Sequence, residues 1–230
     1  LYQSGATKAN SSQNLQLTDG LVGMWSFNGP DITTNDIVDV SGNGNRGGFI
    51  GGATSTAKII GKVGQALSFD GVNDYVNLPA TPSIIAPYSV SFWFKPRELS
   101  REQSILSLRG SNSFPHFDFR SNNKLLAYAG LEKYRYGTKT FSSSDLDVWW
   151  HVVFTVVDSS SLTNWKVYLN GVDNTGNLGA NTGTYFEPSS FGTIGNNIST
   201  SYLNGLIDEV RIYNRALSAS EVKQLYNAGR

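Results

Sequence analysis

Asp39-Val40-Ser41-Gly42-Asn43-Gly44-Asn45 is the first stretch of the chain that could do chemistry. Oxygen-bearing side chains recur there at alternate positions, and the two glycines permit a tight backbone path. Calcium takes roughly six to eight oxygens from carboxylates, amides and carbonyls, so this stretch could supply several of them. It is not an EF-hand, because Ile50 stands where that loop needs a Glu, and no helix flanks it. Without a cation the same residues read as an Asn/Gly turn whose Asp39 caps its own backbone. A second carboxylate lies far along the chain in Leu206-Ile207-Asp208-Glu209-Val210-Arg211-Ile212. On strict strand alternation Asp208 shares a face with Leu206, Val210 and Ile212. If that face is the core, Asp208 needs a partner, because an unpaired buried charge costs several kcal/mol. If Ile207 faces the core, Asp208 is a surface residue. The first arrangement leads to an expectation: Asp39 and Asp208 meet at one structural Ca2+ site, helped by Asn43, Asn45 and Asn28.

Other candidates are weaker. Asp70 and Asp74 bracket Gly71 in a stretch that a simple Asp-Gly hairpin explains. Flat rings suit the faces of sugars, and the chain offers Tyr128, Tyr134, Tyr136, Trp93, Trp149, Trp150 and Trp165. Leu131-Glu132-Lys133-Tyr134-Arg135-Tyr136 interleaves rings with charges, so Tyr134, Arg135, Tyr136 and Trp165 are the candidate ligand-binding residues. The competing reading is that aromatics in strands form core or half-buried cover. Nothing argues for catalysis. The chain has two histidines, His116 and His151, and no G-x-S-x-G elbow, phosphate-binding loop or dinucleotide fingerprint. Glycosidases need two carboxylates held roughly 5 to 10 Å apart, and the acids spaced two apart, Asp145 and Asp147, lie in a Ser-rich loop.

Composition narrows the partners. The 230 residues carry 18 Lys+Arg against 18 Asp+Glu, so zero net charge gives no handle for nucleic acid or an anionic membrane. With no Cys, disulfides, thiolate metal sites and Cys nucleophiles are excluded. No apolar run is long enough to span a membrane. Because position 1 is Leu, the chain is expected to belong to a longer polypeptide.

The elements that must position these residues are strands. Val90, Phe92 and Phe94 share one face of a strand, with Ser89, Ser91, Trp93 and Lys95 on the other. Val152, Phe154 and Val156 alternate likewise, as do Trp165, Val167 and Leu169, which run into the hairpin signal Asn170-Gly171. Leu206 to Tyr213 forms a last long strand. Ser218 with Glu221 makes a capping box ahead of Val222, Leu225 and Tyr226 at helical spacing, and Gly229 stands at the stop. The expectation is an all-β fold, a two-sheet antiparallel β-sandwich or jelly roll with one short C-terminal helix. Residues 1–20 read as a polar arm or linker, and 21–230 as one domain.

Several segments together resemble the laminin-G-like, concanavalin A-like lectin/glucanase jelly-roll family. They are Gly23-Met24-Trp25-Ser26-Phe27-Asn28 followed by the Asp39–Asn45 turn, Gly64-Gln65-Ala66-Leu67-Ser68-Phe69-Asp70-Gly71, Ser91-Phe92-Trp93-Phe94-Lys95-Pro96, Trp150-His151-Val152, Val167-Tyr168-Leu169-Asn170-Gly171, and Gly205 to Ser218. The resemblance implies a non-catalytic, secreted or cell-surface module that binds carbohydrate or a cell-surface protein. It also implies calcium near the sandwich edge, with Asn28 standing where many relatives have an acid. The alternatives are a structural or adhesive spacer, or a displayed surface subunit. A glycan-active enzyme is the third reading.

Overall fold

A computed structural model describes residues 17–51, 58–78, 84–108, 115–130, 133–158, 161–181, 192–196 and 201–230. Seventeen strands follow one another among them. They are β1 (Leu21–Trp25), β2 (Asp36–Ile37), β3 (Gly47–Ile50), β4 (Lys58–Ile60), β5 (Gln65–Asp70), β6 (Tyr75–Leu78), β7 (Tyr88–Pro96), β8 (Gln103–Ser107) and β9 (His116–Phe119). Then come β10 (Leu125–Gly130), β11 (Lys133–Gly137), β12 (Trp150–Val156), β13 (Lys166–Leu169), β14 (Val172–Asp173), β15 (Thr175–Asn181), β16 (Gly192–Ile194) and β17 (Asn204–Tyr213). They form two antiparallel sheets. The first runs β14-β13-β12-β7-β17-β5-β4, with β1 also on β17; the second runs β15-β11-β10-β9-β8-β16-β6-β3-β2.

The period-2 pattern decides what lies between the sheets. Val90, Phe92 and Phe94 of β7 and Val152, Phe154 and Val156 of β12 face Phe117 and Phe119 of β9 and Leu125 of β10 in one core. The Phe117 and Phe154 rings stack with centroids 4.5 Å apart. Burying each such side chain contributes about 1.5–3 kcal/mol, which makes this layer the main source of stability.

A smaller apolar cluster covers the outside of the first sheet. Helix α1 (Ala219–Ala228) lays Val222 and Leu225 on Val153, Tyr168 and Tyr213. Its capping box forms as the sequence indicates: the Ser218 N–H donates to Glu221 at 2.8 Å, and the Glu221 N–H donates back to Ser218 Oγ at 3.3 Å. Arg215 pairs with Glu221 at 2.7 Å and is the main reason its carboxyl falls to about 2. Gly229 is needed for space, because a Cβ there would lie 2.6 Å from the Trp93 indole nitrogen. Ser218→Ala should cost about 1 kcal/mol in chemical denaturation. An unchanged midpoint would mean that the cap contributes nothing.

Residues 1–16 of the expected arm lie outside the described residues. The end of that arm is docked on the domain: Tyr213 donates to the Leu17 carbonyl at 3.1 Å, and Arg215 meets the Asp19 carboxylate at 3.2 Å.

Candidate functional site

Strands β9, β10 and β11 turn alternate side chains out of the sandwich. Phe117, Phe119, Leu125 and Ala127 go to the core. The opposite side chains form two rows across the strands: His116, Tyr128 and Tyr134 in register, then Asp118, Leu126 and Tyr136. The rings form a continuous series. His116 stacks on Tyr128 at 4.8 Å, Tyr128 lies 5.2 Å from Tyr134, and Tyr134 meets Tyr136 edge-on at 5.4 Å. Asp118 Oδ2 accepts from His116 Nε2 at 3.1 Å and lies 3.7 Å from Arg120, whose guanidinium also sits 5.7 Å from the Tyr128 ring and pairs with Glu102. Burial pushes the Tyr128 phenol up, and the Arg120 charge opposes the shift. Asp118 Oδ1 is buried without a hydrogen-bond partner, so this carboxylate keeps an acceptor to spare.

Asp118 and Leu126 are buried, whereas Tyr134 and Tyr136 are half-exposed. The accessible end of the face is therefore the β11 side. There a groove of about 300 Å3 is lined by Asn122, Lys124, Tyr136, Thr138, Gly176 and Asn177. Its floor is fixed by local structure. The β9–β10 hairpin closes with Arg120 N–H to the Lys124 carbonyl at 3.0 Å, and Asn123 turns through φ 60°. Asn122 Oδ1 accepts from the Lys124 N–H at 3.2 Å. Thr138 Oγ1 accepts from the Asn174 amide at 2.7 Å. Gly179 of β15 leaves room for Tyr134, since a Cβ there would lie 1.7 Å from the ring. A ring beside amides, a hydroxyl and an ammonium is the chemistry that recognises hydroxyl-rich ligands.

Of the four expected ligand-binding residues, the structure brings only Tyr134 and Tyr136 to this face. Arg135 lies between them in β11, so alternation sends it inward, where it donates to the Leu162 carbonyl at 2.9 Å. Burial lowers its pKa. Trp165 is 1% exposed in the core and donates its indole N–H to the Asp158 carbonyl at 3.1 Å. Neither can touch a ligand on the outer face. Sequence reasoning missed Asn122, Lys124, Thr138 and Asn177. The Asn122-Asn123 turn beside Lys124 was the available cue, but Asn177 carries none.

The five expected cation ligands divide into two groups. Asp39 Oδ1 accepts from the Met24 and Ser41 N–H groups, both at 2.9 Å. Its Oδ2 accepts from the Asn45 backbone at 3.0 Å and side chain at 3.1 Å. Burial, the largest single influence, pushes its carboxyl up, but hydrogen bonds from Ser41, Met24 and Asn45 together hold it below the usual range. They also fill the lone pairs that a cation would use. The Asn43 and Asn45 amides donate to the Leu21 and Val22 carbonyls, so this turn fastens β1.

Asp208 serves a different turn. Its Oδ2 accepts from Lys62 N–H at 2.8 Å and Val63 N–H at 2.9 Å, and Asn28 Oδ1 caps the same turn by accepting from Gln65 N–H at 2.9 Å. Asp39 and Asp208 share no partner, and among the described residues no three acidic or His side chains gather into a metal-binding group. These residues as placed do not fit a shared calcium ion.

The two options for Asp208 both fail, because a bulge breaks the alternation of β17. Asp208 pairs with Trp93 and Arg211 with Ser91, so β17 has one extra residue there, with Glu209 at φ 53°. Ile207, Val210 and Ile212 all face the core. Asp208 points to the outside of the sheet and is nonetheless 0% exposed. Burial, the largest cause, raises its pKa to about 7, and Oδ1 has no hydrogen-bond partner. Nearby, His151 Nε2 lies 3.0 Å from Ser91 Oγ, and burial first, then Arg211, lowers its pKa to about 3.

Residues 70–223 match the family of the concanavalin A-like lectin/glucanases superfamily. The chain belongs to that superfamily. No curated protein matches this concanavalin A-like domain in sequence. Among solved structures it is similar to domain 4 of AbnA, a GH43 extracellular arabinanase from Geobacillus stearothermophilus, in complex with arabinotriose. That match has 26% identity, a TM-score of 0.67 and coverage of 90% of this chain and 98% of that one. The binding domain of Paraclostridial Mosquitocidal Protein 1 matches at 21% identity and TM-score 0.67, over 92% of this chain and 53% of that one. Trypanosoma rangeli sialidase in complex with the inhibitor DANA matches at 18% and 0.65, over 90% of this chain and 32% of that one. The last two likenesses are to the fold, and the domain spans about half and a third of those chains.

Proposed function

We propose that this domain is a non-catalytic carbohydrate-binding module of an extracellular protein, and that it takes its ligand on the outer face of the nine-stranded sheet. The observation that carries the reading is the groove in which Tyr136 adjoins the Asn122 and Asn177 amides, Thr138 and Lys124. The ring supplies a stacking surface, and the polar groups pair with hydroxyls. Support comes from the likeness, over almost its whole length, to an arabinanase domain solved with arabinotriose. One argument for the non-catalytic part is the Ser91–His151 pair. It has the geometry of a nucleophile and base, but it lies buried in the first sheet, and a His with a pKa of about 3 accepts no proton near neutrality. Among the described residues no helix is long and apolar enough to cross a membrane.

A glycan array probed with the purified domain tests the proposal. Retention of plant or bacterial oligosaccharides without their hydrolysis is expected. Cleavage of a bound glycan would refute the non-catalytic part, and silence across the array would refute binding.

A further inference from the structure

We infer that the groove selects sugars bearing a carboxylate, and that Lys124 makes the selection; this rests on the carbohydrate-binding reading. The balance of charges around the groove points that way. Lys139 and Lys166, the lysines of neighbouring segments, are held by Asp145 at 3.0 Å and Asp173 at 3.1 Å. Asp118 and Glu102 of the same face are both engaged by Arg120, and Asp118 also by His116. Lys124 lines the groove, half-buried, and its ammonium has no ion-pair or hydrogen-bond partner among the described residues. No carboxylate lines the groove with it. The remaining groups are the Asn122 and Asn177 amides and the Thr138 hydroxyl, all neutral.

A neutral sugar leaves that ammonium uncompensated as it displaces water from the groove. A sugar carboxylate supplies the missing counter-charge and forms a charge-assisted hydrogen bond, roughly twice as strong as a neutral one. Because the site is partly enclosed, salt screens the pair less than a fully exposed one. Tyr136 then holds the ring face while Lys124 reads the substituent. An ammonium is a compact point charge with three donors, so it suits one carboxylate on a ring without demanding bidentate geometry.

Calorimetric titration of the intact domain tests the inference, using a trimer of galacturonic acid and the neutral galactose trimer of the same linkage. The acidic trimer is expected to bind about tenfold more tightly. Lys124→Gln should reduce the acidic-to-neutral affinity ratio to near one, and Lys124→Arg should restore most of it. Equal affinity of the wild-type domain for both trimers, or an unchanged ratio in Lys124→Gln, overturns the selection while leaving carbohydrate binding intact. Binding of neither trimer, together with a silent array, overturns both.

Discussion

Replacing Asp208 with Asn is expected to stabilise the domain at neutral and alkaline pH and to steepen the rise of its stability with pH in acid. Asp208 is fully buried, and its folded-state pKa of about 7 lies above the ordinary 3.8. A carboxyl shifted upward contributes its full stability below about pH 4 and loses it as pH rises through about 7. Each tenfold change in an ionisation constant corresponds to about 1.4 kcal/mol, so ionising Asp208 in its buried site costs several kcal/mol. His151 works in the opposite sense. Its pKa falls from 6.5 to about 3, so its contribution is present above 6.5 and is lost as pH falls toward 3. Between about pH 4 and 6.5 the two slopes oppose each other in the wild type. With Asp208→Asn only the His151 slope remains of the pair, and stability should rise with pH across that window. The Asn carbonyl can still accept the Lys62 and Val63 N–H groups. Asp208→Ala instead orphans both donors, at about 1–3 kcal/mol each. Denaturant melts of wild type and both variants at several pH values check this. Parallel wild-type and Asp208→Asn profiles would show that Asp208 does not ionise from a buried position.

The second large effect concerns the rings. Tyr134→Ala with Tyr136→Ala is expected to weaken binding of an oligosaccharide retained on the array by about thirtyfold, each ring contributing about 0.5–1.5 kcal/mol of specific contact. The melting temperature should fall only slightly, because both rings are half-exposed on the outer face. Trp165→Ala makes the contrast. That ring is in the core, and its loss should cost about 3–5 kcal/mol and threaten the fold itself. Calorimetry with a melt of each variant separates the two. Full affinity in the double variant would move the binding face elsewhere.

Fold class was legible because both β7 and β12 display the period-2 rule without interruption, and Ser218 with Glu221 marks a helix by local chemistry alone. The candidate site was legible only in part. Tyr134 and Tyr136 were identified as rings in a charged segment, but the same alternation that turns them outward removes Arg135, a consequence already present in the sequence. The failure at Asp208 has a different cause. A bulge depends on how β17 meets β7, and Glu209 is an ordinary residue that gives no warning of positive φ. Asp39 and Asp208 were paired because both are carboxylates in need of partners. The backbone met each need separately, through Met24, Ser41 and Asn45 for one and through Lys62 and Val63 for the other. Asn122 and Lys124 come from the β9–β10 hairpin and Asn177 from strand β15, far apart in the chain, and only the sheet order brings them together.

Amide chemical-shift mapping during titration with an oligosaccharide retained on the array tests the binding face most directly. Perturbations concentrated on Asn122, Lys124, Tyr136, Thr138 and Asn177 are the expected result. Perturbations confined to the Asp39–Asn45 turn or to the helix-covered face around Trp93, with these five residues unmoved, would contradict it.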